Sequence, residues 1–186
     1  MNYIGRLHII SGSMFSGKTT ELLNLIKTHD NYIVINHSLD NRYSSNNVIY
    51  SHDGQIIDCF KLSQISSIFD DDNFKSCSVI FIDEAQFFSN LREDVLQIVE
   101  VYNKTVYIAG LLIDFNREKF GELLDLIPFS DSFTMKKSCC SFCKSEHTSY
   151  TNTYSYKFNK SNDVICVGTN NDYAPLCRYH YLKNKT

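Results

Sequence analysis

The chain has 186 residues, a formal net charge of −3, seven cysteines and two prolines, with an isoelectric point near 6.0. That length suits one domain, or one domain with a small appendage, and the mild acidity argues against a surface built for duplex nucleic acid. No stretch reaches the ~20 apolar residues of a membrane span and no signal peptide is visible, so a cytoplasmic protein is expected, its cysteines serving as thiols or metal ligands rather than disulfides.

A short apolar run at residues 7–10 predicts a buried strand. It leads into Gly12-Ser13-Met14-Phe15-Ser16-Gly17-Lys18-Thr19, a G-x-x-x-x-G-K-T sequence, and then into a segment with Leu22, Leu25 and Ile26 on one helical face. Strand, glycine loop and helix start together make a phosphate cradle. Backbone N–H groups turn inward around an anion, and the helix N-terminus adds its positive dipole end. In such a loop Lys18 reaches the β- and γ-phosphates and the Thr19 hydroxyl ligates Mg²⁺, so a nucleoside triphosphate is the expected ligand.

Residues 36–54 are polar and aperiodic, and read as a functional loop. Apolar runs at 32–35, 79–82 and 106–109, with weaker ones at 56–60 and 132–135, predict strands covered on both faces, as in a parallel sheet. Helical segments fall between them. One spans 91–102, where Leu91, Val95, Ile98, Val99 and Tyr102 keep one face; another spans 122–127 and is stopped by Pro128. Strands alternating with helices after a phosphate loop imply an α/β fold. From Ser138 the composition turns to cysteine, serine, asparagine and tyrosine, which places a boundary between residues 1–137 and 138–186.

Two constellations carry further chemistry. The run Val79-Ile80-Phe81-Ile82-Asp83-Glu84 is an apolar strand ending in two acids. An aspartate at such a tip holds Mg²⁺ in phosphate-loop enzymes, and Glu84, one residue on, can approach an acceptor; otherwise it is a solvated acid at a strand end. The tetrad Asp83-Glu84-Ala85-Gln86 also resembles the acidic box of helicases, but a second motor domain and a nucleic-acid surface have no room in this chain. Cys140-Ser141-Phe142-Cys143 and Cys177-Arg178-Tyr179-His180 are two metal knuckles whose spacing fits structural zinc with no open coordination position. Cys139 is an alternative to Cys140 with poorer spacing. Cys59, Cys77 and Cys166 read as small core residues.

Taken together, these motifs resemble the type II thymidine kinases, the cellular and poxviral type, over nearly the whole chain. The resemblance rests on Gly12 to Thr19 with Thr20-Glu21-Leu22, on Asp40-Asn41-Arg42-Tyr43-Ser44, on His52-Asp53 and on Asp83-Glu84-Ala85-Gln86-Phe87-Phe88. It continues through Phe115-Asn116-Arg117, Phe120-Gly121, the two knuckles, Val164-Ile165-Cys166-Val167-Gly168 and Tyr173.

The resemblance implies a phosphate-loop, RecA-like parallel-sheet domain with a small C-terminal zinc-binding lasso lobe over the nucleoside. It implies ATP and Mg²⁺ held by Gly12 to Thr19, Asp40, Asn41, Arg42, Asp83, Glu84, Ala85 and Gln86. Glu84 becomes the general base at the nucleoside 5′-hydroxyl, with Lys18 and Arg42 stabilising the phosphoryl group. Phe115 packs on the base, with Phe87 and Phe120 in the substrate site and Met14 near the base methyl. Main-chain groups of Val164, Ile165, Cys166, Val167 and Gly168 read the base edge, and Tyr173 closes the site. Thymidine is the implied acceptor, and a homo-oligomer, a tetramer in the family, the implied assembly, with no nucleic-acid or membrane partner.

The chain departs from the family pattern at Leu111-Leu112-Ile113-Asp114, where an acid is missing at Leu112 or displaced to Asp114. It also departs in a longer segment after Cys143 and at residues 156–163. Two other readings of the motifs are a zinc-bearing ATPase acting on nucleic acid and a non-catalytic zinc module with a relic nucleotide site.

Overall fold

The computed structural model describes residues 4–40, 47–50, 56–143, 153–158 and 172–185. Its centre is a parallel sheet built from β1 (Leu7–Gly12), β2 (Tyr32–His37), β5 (Phe60–Leu62), β6 (Val79–Asp83), β7 (Thr105–Gly110) and β8 (Ser132–Lys136). The spatial order is β5-β2-β6-β7-β1-β8, and each neighbouring pair is parallel. The chain leaves β1 through α1 (Lys18–Ile26) and returns as β2, passing over β7 and β6 on the way. The ends of β1, β6 and β2 therefore face one edge of the domain, where ligands of open α/β sheets bind.

The continuous apolar runs make sense as two-faced burial. Ile9, Ile33, Ile35, Ile80, Ile82, Val106 and Ile108 share one core with Leu91, Val95 and Ile98 of the following helix. Ile10, Val34, Phe81 and Ala109 point to the opposite face and pack with Leu22, Leu23 and Ile26 of α1. Leu23 joins Leu22 and Ile26 as a fully buried residue of α1, and the expected Leu25 packs half-buried on the flank of the same cluster.

Other expectations need correction. Residues 36–54 are not wholly loop: β3 (Val48–Tyr50) pairs with β4 (Ile56–Asp58) as an antiparallel ribbon. The run 56–60 splits between β4 and β5, so its residues serve two separate sheets. After the short α2 (Asp72–Ser76), helix 91–102 is α-helical as α3 (Leu91–Leu96) and then widens to a π-helical turn over Gln97–Val101. The wider turn breaks the 3.6-residue register, which leaves Tyr102 38% exposed while Ile98 stays buried. Segment 122–127 forms a 3-10 helix over Leu123–Phe129, and Pro128 lies inside it rather than stopping it. β8 is an exposed edge strand, with Phe133 and Met135 open to solvent, not a doubly covered one.

A second, smaller unit follows Ser138. β9 (Thr153–Lys157) and β10 (Tyr173–Cys177) form an antiparallel ribbon that continues into α4 (Arg178–Lys185). Cys140, Ala174, Leu176 and Tyr181 form its small core. Among the described residues no helix is long and apolar enough to cross a membrane.

Candidate active site

The glycine loop joins β1 to α1. Gly17 caps the helix with φ 79°, and a Cβ there would meet nothing within 4 Å. The glycine is thus required by the left-handed backbone and not by crowding. Phe15 also takes a positive φ, 61°, so the chain curls around a point in front of the helix N-terminus. Two observations test the loop against a phosphate ligand. The Ser16 hydroxyl is buried with no hydrogen-bond partner, and the Lys18 ammonium folds back to donate to the Ser13 carbonyl at 2.9 Å. A buried orphan hydroxyl and a lysine occupied by its own loop are donors that an anion would recruit.

The acids lie across the sheet edge. Asp83 ends β6 and is 1% exposed; its Oδ2 accepts from the Thr19 hydroxyl at 2.9 Å. A hydroxyl and a carboxylate side by side form the hard-oxygen donor set that suits Mg²⁺. Glu84 leaves the strand with φ 53° and ψ 40°, a left-handed turn that carries its side chain away from the sheet. Its N–H donates to Asp83 Oδ1 at 3.0 Å, and its Oε2 accepts from Gln86 Nε2 at 2.6 Å. Gln86, 3% exposed, also accepts from the Leu111 N–H at 2.9 Å and so ties the acidic turn to the end of β7. Gly110 makes this approach possible: a Cβ there would lie 2.8 Å from Gln86 Oε1 and 3.2 Å from the Ala85 Cβ.

Asp40 lies just beyond β2, and its Oδ2 accepts from Asn36 Nδ2 at 2.9 Å. Asn36 is the register partner of Asp83, so Asp40 belongs to the same edge. Asn41 and Arg42 lie outside the described residues. His37 packs on Phe88, rings 4.7 Å apart, and Phe87 meets Phe120 edge to face at 5.5 Å. Burial holds the His37 imidazole below its usual pKa, although the Ser63 backbone and Asp40 pull the other way.

The C-terminal unit docks onto the loop through hydroxyls. Ser13 Oγ meets Thr153 Oγ1 at 2.7 Å and Ser138 Oγ at 3.2 Å, and Ser138 meets Thr153 at 2.6 Å. The Met14 N–H donates to Ser155 Oγ at 3.0 Å. A pocket between sheet and ribbon is lined by Gly12, Ser13, Leu112, Met135, Tyr154 and Ser155, among others. Phe115 and Tyr173 stand with rings 6.4 Å apart, and the Tyr181 hydroxyl donates to the Phe115 carbonyl at 2.5 Å. Asp114, the displaced acid of the sequence, organises the turn below Phe115 by accepting from the N–H groups of Asn116 and Glu118 at 2.8 and 2.9 Å. Residues 164–168 lie outside the described residues.

Cys140, Cys143, Cys177 and His180 bring their ligand atoms within 4.8 Å of one another. Cys143 and Cys177 sulfurs are 3.9 Å apart, and His180 Nδ1 lies 3.3, 3.6 and 3.3 Å from Cys140, Cys143 and Cys177. Bonds of ~2.3 Å to sulfur and ~2.0 Å to nitrogen at tetrahedral angles give edges of about 3.5–3.8 Å, so the donors fit zinc. Burial opposes ionisation of Cys140, but the backbone at Cys177, Phe142 and Cys143 together with His180 overcomes it and brings the thiol down to about 6. Burial and the neighbouring Cys140 and Cys177 push Cys143 up to about 11. Bringing all three sulfurs to the thiolate form in one cluster requires a cation between them. Cys140 is the buried ligand, and Cys139 is exposed and outside the cluster. Cys59 and Cys77 are buried away from it, as expected of core residues.

Sequence reasoning did not single out Ser138, Thr153, Ser155, Lys157 or Tyr181. The available signal was the alternation of small hydroxyls at 153 and 155, which a strand places on one face.

Comparison with known proteins fits this geometry. The model of a family described as thymidine kinase matches residues 5–181. Over 187 aligned positions the chain is 35% identical to thymidine kinase a of Arabidopsis thaliana, covering 97% of this chain and 76% of that protein. It is 34% identical to a thymidine kinase of Oryza sativa subsp. japonica, covering 97% of this chain and 68% of that one. A thymidine kinase of Choristoneura fumiferana entomopoxvirus is 35% identical, with 97% and 98% covered.

Proposed function

Because the chain belongs to the thymidine kinase family, and is thereby an ATP-dependent kinase, we propose that it transfers the γ-phosphoryl group of ATP to the 5′-hydroxyl of thymidine, with deoxyuridine tolerated. The observation that supports this most directly is the meeting of Lys18 and Thr19 with Asp83 and Glu84 at one sheet edge, Thr19 and Asp83 being hydrogen-bonded.

The loop amides of residues 12–19 cradle the phosphates, and Lys18 exchanges the Ser13 carbonyl for a phosphate oxygen. Mg²⁺, held by Thr19 and Asp83, neutralises charge on the phosphates when bound. Glu84, braced by Gln86, orients the 5′-hydroxyl and takes its proton late, as the new O–P bond forms in a loose transition state. Lys18 and Arg42 stabilise the charge spread over the phosphoryl oxygens. Phe115, Phe87, Phe120 and Tyr173 enclose the base, Met14 lies by its methyl, and main-chain groups of residues 164–168 read its edge.

In this reading residues 1–137 are the nucleotide-binding domain with a RecA-like phosphate loop. Residues 138–186 are the zinc-held lasso over the nucleoside. The protein works in the cytoplasm as a homo-oligomer, a tetramer by family resemblance.

A transfer assay across deoxynucleosides tests the proposal. Thymine and uracil share an acceptor–donor–acceptor edge, whereas cytosine reverses two of those positions and leaves buried groups unpaired. Thymidine and deoxyuridine should be phosphorylated far better than deoxycytidine or deoxyguanosine. Efficient use of either of the latter, or nucleotide hydrolysis without transfer, would overturn the assignment.

A further inference from the structure

Lys61 is the middle residue of β5 and the register partner of Asn36 in β2. Asn36 in turn partners Asp83 in β6. Residues in register on neighbouring parallel strands share a face, so Lys61, Asn36 and Asp83 form one polar row across three strands, its ends about 10 Å apart by strand spacing. Two residues earlier on the same face, β2 and β6 carry the apolar Val34 and Phe81. The row lies at the edge that holds the phosphate loop, since Asp83 accepts from Thr19.

Two members of this row converge on Asp40, which is buried. Its N–H donates to the His37 carbonyl at 3.0 Å, and its Oδ2 accepts from Asn36 Nδ2 at 2.9 Å. Its carbonyl accepts from Lys61 Nζ at 2.5 Å. The first two bonds come from within four residues of the chain, whereas the third comes from another strand, 21 residues on. The Asn36 amide cannot turn over, because its Oδ1 accepts the His37 N–H at 2.7 Å. The amide therefore fixes the Asp40 carboxylate, and the ammonium fixes the peptide behind it with a charge-assisted bond. Only a long side chain reaches from β5 past Asn36 to this carbonyl. The Cys59 thiol, pushed up to about 11 by burial, feels Lys61 pulling it down and Asp40 and Asp83 adding to the shift; the cation and both carboxylates thus share one neighbourhood.

Resting on the kinase reading, we propose that Lys61 is a positioning residue for the nucleotide half of the site: it holds the Asp40 turn so that the Asp40 carboxylate stays with Asp83 at the phosphate edge and serves the Mg²⁺–nucleotide complex. A group that orients a metal-binding side chain typically contributes about ten- to a hundredfold in affinity. Lys61 acts through the carboxylate, so its effect belongs to nucleotide binding in the presence of the metal and not to the nucleoside.

Equilibrium binding of a non-hydrolysable ATP analogue, with Mg²⁺ present and with it chelated, tests this. Lys61→Met keeps the apolar stem and removes the donor. It should weaken analogue binding with Mg²⁺ by about that factor, while binding without Mg²⁺ and the KM for thymidine change little. Lys61→Arg, which retains charge and donors, should recover most of the loss. Lys61→Gln, with a shorter and uncharged donor, should be intermediate, and it carries the comparison if the methionine variant does not fold. In an Asp40→Asn background Lys61→Met should add little, because the placement of the side chain no longer matters once its charge is gone. Equal weakening with and without Mg²⁺ would mean that Lys61 acts on the phosphates directly, and additive losses in the double variant would mean that it acts independently of Asp40. Either result, like unchanged analogue binding, would overturn the proposal and leave the kinase reading intact. Absence of thymidine phosphorylation by the parent protein, with the analogue results as expected, would overturn the kinase reading alone.

Discussion

Glu84→Gln separates the chemistry proposed for this residue from its structural part. The substitution keeps the shape of the side chain and removes one charge and the proton-accepting carboxylate. The new amide can still offer its oxygen to Gln86 Nε2, which donates to Glu84 at 2.6 Å. What is lost structurally is the charge assistance of that bond, about 1 kcal/mol. Relief of repulsion with Asp83, the adjacent buried acid, offsets part of it. For a chain of this size such a loss moves the melting temperature by about 2–4 °C. The chemical loss is larger: a positioned general base contributes about 10²–10⁴ in rate, or about 2.7–5.5 kcal/mol of barrier. Single-turnover transfer from ATP to thymidine, measured beside nucleotide binding and thermal melting, reads the two effects separately. The expected result is near-normal ATP binding, a slightly lower melting temperature and transfer slowed at least a hundredfold. A variant that keeps most of its turnover number would refute the assignment of Glu84 as base.

Metal analysis of protein purified without added zinc should find about one equivalent per chain. Cys143→Ser should weaken thymidine binding far more than ATP binding, because metal-binding energy is folding energy for the lobe; a metal-free protein with full activity would contradict this. Gly110→Ala pushes a methyl to 2.8 Å from Gln86 Oε1 and 2.9 Å from Leu123 Cδ2. It should cost about 1–3 kcal/mol through overpacking and slow transfer as Gln86 shifts from Glu84, measured by melting and steady-state rate. Burial lowers the His37 pKa in the folded chain, so below its usual 6.5 the unfolded chain binds the proton more readily. Stability should therefore fall as the pH drops below about 6.5 and level off beneath the folded-state pKa. Denaturant titrations of His37→Asn should show a shallower fall, the remainder including His8, which is shifted the same way.

The parts of the site that follow from local chemistry could be read from the chain. A glycine loop must sit between a strand and a helix to bind an anion, and Gly12 to Thr19 does. Two metal knuckles need only close approach, and their four ligands converge. The parallel strands were legible because burial on both faces leaves continuous apolar runs. What escaped depends on contacts between distant segments. The π-helical turn at Gln97–Val101 disturbs the period that predicted a regular helix. Pro128 is tolerated because a 3-10 helix, with its different hydrogen-bond spacing, replaces the α-helix. The docking hydroxyls Ser13, Ser138 and Thr153 lie up to 140 residues apart in the chain, and nothing in their own neighbourhoods marks them as partners.

That hydroxyl contact bears on why a small kinase carries a metal-ligating cluster at all. The C-terminal ribbon has a core of only a few side chains, Cys140, Ala174, Leu176 and Tyr181 among them, too little apolar area to hold such a unit by itself. Besides ring contacts of Arg117 with Tyr154 and Tyr181 and of Phe115 with Tyr173, its attachment to the main domain is made by hydrogen bonds: hydroxyl to hydroxyl at Ser13, N–H to hydroxyl at Met14, and hydroxyl to carbonyl at Phe115. Each such bond contributes only about 1 kcal/mol and depends on geometry, so the set is useful only if its members are already in place. A metal bound by Cys140, Cys143, Cys177 and His180 would do that placing, since it would join the two knuckles at the end of the ribbon where Thr153 faces Cys177. The residues so fixed touch the phosphate loop on one side and Phe115 on the other. Loss of the metal should consequently be felt at both ends of the proposed site, at Ser13 and Met14 of the phosphate loop and around Phe115 and Tyr173.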